Sequence, residues 1–155
     1  MQGDPQVIAY LNRLLAEELS AADQYFIHAE MYKDWGLDKL HERISHERMD
    51  ELEHARVLVA RILFLGGRPD VAARVPIMVG ADVPTMLESD LQVEYRVGAL
   101  LKEVIAFCEG VHDYVTRDAL MVLLEETEND HAHWLEQQLK LIRMTGLENY
   151  IQSRM

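Results

Sequence analysis

The 155-residue chain carries 15 Lys and Arg against 27 Asp and Glu, a formal charge of −12. Such an acidic surface argues against nucleic acid or an anionic membrane as partner; it favours cations, metal ions among them, although solubility alone accounts for such a surplus. The composition, 49% hydrophobic and 27% charged, is globular, and the single Cys108 excludes an intrachain disulfide or a CxxC metal knuckle.

The single cysteine fits a reducing cytoplasm as the expected compartment, and the start, Met-Gln-Gly-Asp-Pro, has neither the basic nor the apolar region expected of a secretory leader. Asp4-Pro5 predicts an N-cap followed by proline at the first helical position, and the helical pattern runs to about residue 33, where Trp35-Gly36 stops it. A second helix is predicted from about 37 to 65, ended by Gly66-Gly67-Arg68-Pro69. Residues 66–82 lack periodicity and hold two prolines and three glycines, which marks a long connection. Asp82, with Pro84 just inside, opens a third helix to about 109. Gly110 marks a short break, a fourth helix spans about 113–145, and the last nine residues after Gly146 form one more short helix. No strand signal accompanies any of these segments.

Four long helices in one domain, 1–155, predict an all-α four-helix bundle with a short C-terminal fifth helix. Short breaks after the first and third helices make those pairs antiparallel. A helix of ~27 residues is ~40 Å long, and a connection of ~16 residues reaches ~50 Å. The second connection can therefore cross the whole bundle, which predicts that helices two and three run parallel.

Steps of three and four trace a buried stripe along each helix. They read Leu11, Leu15, Glu18, Ala22, Tyr25; Ile44, Glu47, Glu51, His54, Leu58; Leu87, Leu91, Glu94, Gly98, Leu101; and Met121, Leu124, Glu128, His131, Leu135. Each stripe has an ionisable group in its middle. One inward glutamate is ordinarily a rim residue, but four carboxylates buried without counter-charge would cost several kcal/mol each. Two divalent cations neutralise them, and carboxylate with imidazole is a ligand set for iron or manganese. Glu51-Leu52-Glu53-His54 and Glu128-Asn129-Asp130-His131 are both Glu-x-x-His, and i, i+3 residues share a helix face. Glu18 precedes Glu51 by 33 residues and Glu94 precedes Glu128 by 34, so the two halves repeat one arrangement. The pattern is that of a di-iron carboxylate bundle.

Along its whole length the chain resembles the bacterioferritins and their haem-free bacterial ferritin relatives. The segments that carry the resemblance are Tyr10-Leu11-Asn12 to Glu18, Asp23 to Ala29, Glu51 to His54, Val111 to Val115, and Gly146 to Tyr150. The resemblance implies Glu18, Glu51 and His54 on one iron and Glu94, Glu128 and His131 on the other, with Glu51 and Glu128 bridging. It implies a ferroxidase that oxidises Fe(II) with dioxygen or peroxide, and a cage of twenty-four subunits that stores the ferric mineral. The family's haem methionine lies directly after the Glu51 position; here it is Leu52, whose alkyl chain cannot ligate iron, with Met49 and Met31 nearby. A haem-free cage, or a cage shared with a methionine-bearing subunit, follows; a small ferredoxin reduces the haem-bearing members.

Further positions are secondary. His46 and Asp50 are i, i+4 on helix two, where the resemblance implies cavity-side iron handling and a solvated face is the plainer reading. Glu47 lies one turn from Glu51 and Tyr25 beside Glu18. Asn149 and Gln152 resemble pore-lining residues of the cage, and His28, His112 and His133 carry no metal role. The competing readings are a di-iron oxidase or peroxidase that keeps its iron as a fixed cofactor, and a haem-binding subunit.

Overall fold

The computed structural model describes residues 1–155. Its elements are α1 (Pro5–Asp34), α2 (Asp38–Phe64), α3 (Val83–Gly110), α4 (Tyr114–Glu126), a π-helical segment (Thr127–Ala132), α5 (His133–Thr145) and α6 (Leu147–Ser153). Helices α1, α3 and α4 begin where a side chain satisfies their first free N–H groups. The Asp4 carboxylate accepts from the amides of Gln6 and Val7 at 2.7 and 3.2 Å. Asp82 and Thr85 form a reciprocal capping box at the start of α3, and Asp113 accepts from the Thr116 amide ahead of α4. Gly146, at φ 84°, supplies the left-handed turn that ends α5 and starts α6.

Cross-helix bonds give the directions. The Gly3 amide donates to the Leu65 carbonyl at 2.8 Å, joining the start of α1 to the end of α2. Between α1 and α3, Tyr10 meets Glu103, Glu17 meets Arg96, and His28 meets Asp90, an antiparallel order. Between α2 and the fourth rod, Arg61 meets Thr116 and Arg43 meets Asp130, again antiparallel. The connection from α2 to α3 runs beside α1 from end to end. Asn12 holds Arg68 and Asp70, Ser20 holds Val75, Gln24 holds Met78 and His28 holds Gly80. The crossover therefore traverses the bundle, and α2 and α3 run parallel.

Thirty buried hydrophobic residues form one contiguous core, with Tyr25, Tyr32 and Tyr150 its largest side chains. Each fully buried Leu or Ile contributes about 1.5–3 kcal/mol. Tyr150 fixes α6 to the bundle, its hydroxyl donating to Gln138 Oε1 at 2.8 Å.

The fourth helix departs from the expected uniform rod. Up to the first residue of the π segment its buried residues are Thr116, Leu120, Leu123 and Thr127, the last three one position before the expected Met121, Leu124 and Glu128. Downstream, at His131 and Leu135, expectation and structure coincide. A π turn bonds i to i+5 and so accommodates one extra residue. It forms at Thr127, Asn129 and Asp130, all weak helix formers.

Candidate metal centre

Glu18 from α1, Glu51 and His54 from α2, Glu94 from α3 and His131 from the π segment meet in the middle of the bundle, each 2% exposed or less. His54 Nδ1 lies 2.7 Å from Glu18 Oε2 and 3.5 Å from Glu51 Oε2. His131 Nδ1 lies 3.1 Å from Glu51 Oε1 and 3.4 Å from Glu94 Oε1. Glu51 thus presents one oxygen to each imidazole. Two ligand triads result, Glu18–Glu51–His54 and Glu51–Glu94–His131, and within each triad one ligand atom per residue lies within 4.8 Å of the others. The rings are stacked with centroids 5.9 Å apart. Tyr25, in contact with the same group, donates its hydroxyl to Glu94.

The electrostatics are those of carboxylates in search of positive charge. Burial, then the charge of Glu51, pushes the Glu18 carboxyl up to about 8. Burial likewise raises Glu94 against the opposing pull of His131 and Tyr25. Burial by itself would lower His54, yet the carboxylates of Glu18 and Glu51 beside its Nδ1 outweigh this and push it up to about 11. His131 is raised in the same way by Glu47, Glu51 and Glu94. Glu18 Oε1 and Glu51 Oε2 are buried with no hydrogen-bond donor. Protons on the imidazoles supply the charge that cations would supply more fully, and the oxygen-rich donor set with two imidazoles suits iron or manganese.

Not every expected residue is in this group. Glu128 is exposed, and its Oε1 pairs with Lys102 Nζ at 2.8 Å. The i, i+3 argument for Glu128 and His131 holds for an α-helix; across the π segment the two no longer share a face. Conversely, Glu126 turns inward, with Oε2 3.1 Å from His54 Nε2 and Oε1 3.6 Å from His131 Nε2. The helical stripe passes over Glu126, and nothing local in the sequence marks it. Glu47 is buried with Oε2 2.6 Å from His131 Nε2, and Asp50 Oδ2 lies 3.1 Å from the same atom. With Asp130 they form a third acidic group around His131, partly neutralised by Arg43, which pairs with both Glu47 and Asp130.

The remaining candidates lie elsewhere. His46 is 64% exposed, 3.5 Å from Asp50. Leu52 is half-buried on α2, Met31 half-buried on α1, and Met49 exposed; the side chain at position 52 has no lone pair for haem iron. The Asn149 amide donates to the Thr145 carbonyl, and Gln152 is exposed. His133 is exposed, and His112 stacks on Tyr114 in the α3–α4 turn. His28 belongs to a buried knot that the sequence reading did not anticipate. Its Nε2 accepts from the Gly80 amide, so Nδ1 carries the proton that bonds Asp90, which also accepts from Gln24. No helix is long and apolar enough to cross a membrane.

Comparison with known proteins agrees with this architecture. The model of the family described as "Ferritin-like domain" matches residues 8–145. The chain is 56% identical over 155 residues to a "Bacterial ferritin" of Synechocystis sp., covering 100% of this chain and 99% of the relative. It is 59% identical over 154 residues to a "Bacterial ferritin" of Paramagnetospirillum magnetotacticum, covering 99% and 94%. A "Bacterioferritin" of Brucella melitensis is 38% identical over 150 residues, covering 97% and 92%.

Proposed function

The chain belongs to the ferritin family, and from that premise we propose that it stores iron, oxidising Fe(II) at the buried centre and holding the product as a ferric mineral inside a multi-subunit cage. The observation that carries this reading is Glu51, whose two oxygens face two different histidines 3.1 and 3.5 Å away. A carboxylate so placed holds two metal ions side by side, and such pairs stand ~3.5–4 Å apart. Glu18 and His54 complete one position and Glu94 and His131 the other, with Glu128 as the sixth ligand. Each Fe(II) gives up one electron. The pair reduces one peroxide to two hydroxides, or, with two protons, one dioxygen to hydrogen peroxide. The carboxylates stabilise the ferric charge, and the surplus of acidic groups draws cations toward the protein.

The cage has twenty-four copies on this reading and works in the cytoplasm, with a ferredoxin or another reductant releasing the iron. It is built of this chain alone or together with a haem-bearing subunit, because Leu52 gives this chain no axial ligand. The test is aerobic loading. Metal-free protein receives excess Fe(II), passes a sizing column, and is assayed for iron per chain. Storage gives far more than two irons per chain in a large assembly. About two per chain and no more makes the iron a fixed cofactor and the protein a di-iron oxidase.

A further inference from the structure

A groove between α3 and the fourth helix leads to the metal centre. It encloses a cavity of about 320 Å³ lined by Glu94, Gly98 and Lys102 on one side and Thr127, Glu128 and Ala132 on the other. Gly98 and Ala132 leave it open; a Cβ at Gly98 would meet only the Thr127 methyl, at 3.9 Å. Glu94, a buried member of the centre, lines the same cavity as the exposed Glu128. Thr127 Oγ1 is buried in that wall without a hydrogen-bond partner. Lys102 is the cavity's one cationic side chain, and its ammonium is bonded to Glu128.

We propose that Lys102 is a positioning residue for the metal centre. It holds Glu128 aside in the metal-free protein, so that the groove stays open to an arriving cation and Glu128 joins the ligand set only after one is bound. This rests on the metal reading of the site given above. Three features fit such a latch. The π turn has already rotated Glu128 off the inward face, so the carboxylate needs an outward partner, and Lys102 is that partner. Lys102 and Glu128 are 63% and 47% exposed, and exposed ion pairs contribute little, so the hold is readily displaced. Glu128 and Glu94 line one cavity, which joins the held carboxylate to a buried member of the centre.

The experiment is an anaerobic Co(II) titration of the assembled, metal-free protein, followed by calorimetry and by the visible d–d bands of the bound ion. It compares wild type, Lys102→Met, Glu128→Gln and the double variant. Lys102→Met is expected to bind the same number of ions three- to tenfold more tightly. Glu128→Gln is expected to weaken binding and alter the d–d bands, and in that background Lys102→Met is expected to change affinity by less than twofold. An equal gain in both backgrounds would reduce Lys102 to a distant charge and overturn the proposal. So would unchanged affinity in Lys102→Met, or a Glu128→Gln variant that binds like wild type. Wild-type protein that shows no d–d bands would overturn the metal reading itself, and this proposal with it.

Discussion

Glu126 and His131 stand five residues apart on the fourth helix and face one another across 3.6 Å, while Glu128, only three residues from His131, turns away to pair with Lys102. An α-helix would reverse this relationship; the π segment between them produces it. The same Glu126 carboxylate lies 3.1 Å from His54 Nε2, so one side chain stands behind both imidazoles, on the edge opposite their Nδ1 atoms.

Carboxylates behind a ligating imidazole fix its orientation, and losing them typically costs 10–100-fold in metal affinity or activity. Glu126→Gln is expected to slow Fe(II) oxidation about tenfold while leaving assembly size and helix content unchanged. Stopped-flow oxidation with sizing and circular dichroism checks this; wild-type rates would remove Glu126 from the site.

Glu51 faces both histidines, whereas Glu18 faces only His54. Glu51→Ala is expected to abolish tight binding of both metal ions and the fast phase of oxidation. Glu18→Ala is expected to retain one ion per chain. Calorimetric stoichiometry separates the two variants, and identical behaviour would contradict the bridging geometry.

The metal-free protein is expected to lose thermal stability as pH rises from about 6.5 to 9. Glu18 is an acid whose carboxyl is pushed up to about 8, so below that pH the folded state holds a proton that the unfolded chain releases near 4.5. His54, pushed up to about 11, contributes fully below 6.5 and loses its contribution as pH climbs through 11. Both slopes have the same sign. Bound metal displaces those protons, so its stabilising effect grows with pH. Melting curves at pH 6.5 and 9, with and without Co(II), test both signs; a metal-free protein that gains stability toward pH 9 would refute the assignment.

The knot of Asp90, His28 and Gln24 joins α1 and α3 to the crossover at Met78 and Gly80. Asp90 is fully buried. Asp90→Ala leaves the His28 and Gln24 donors unsatisfied and is expected to destabilise the chain by about 3 kcal/mol. Hydrogen exchange is expected to rise first in residues 68–80. Unchanged protection there would mean the crossover is held by its other contacts.

The helices were legible because their signals are local. Asp4-Pro5 and the Asp82 box mark starts, and Gly66 and Gly146 mark ends. The parallel α2 and α3 followed from chain length against helix length. The types of site residue were legible as well, because ionisable groups in apolar stripes violate the helical pattern. By itself, then, the sequence determined the bundle, the crossover and the meeting of Glu18, Glu51, His54, Glu94 and His131. Tertiary structure alone decided the phase of the fourth helix. An α-helix turns about 100° per residue, so one extra residue in a π turn carries everything upstream to a different face. That rotation buries Thr127 in place of Glu128 and brings Glu126 to the histidines. It accompanies the hold that Glu47, Asp50, Glu51 and Glu94, on two other helices, keep on His131, contacts that no window of the fourth helix contains.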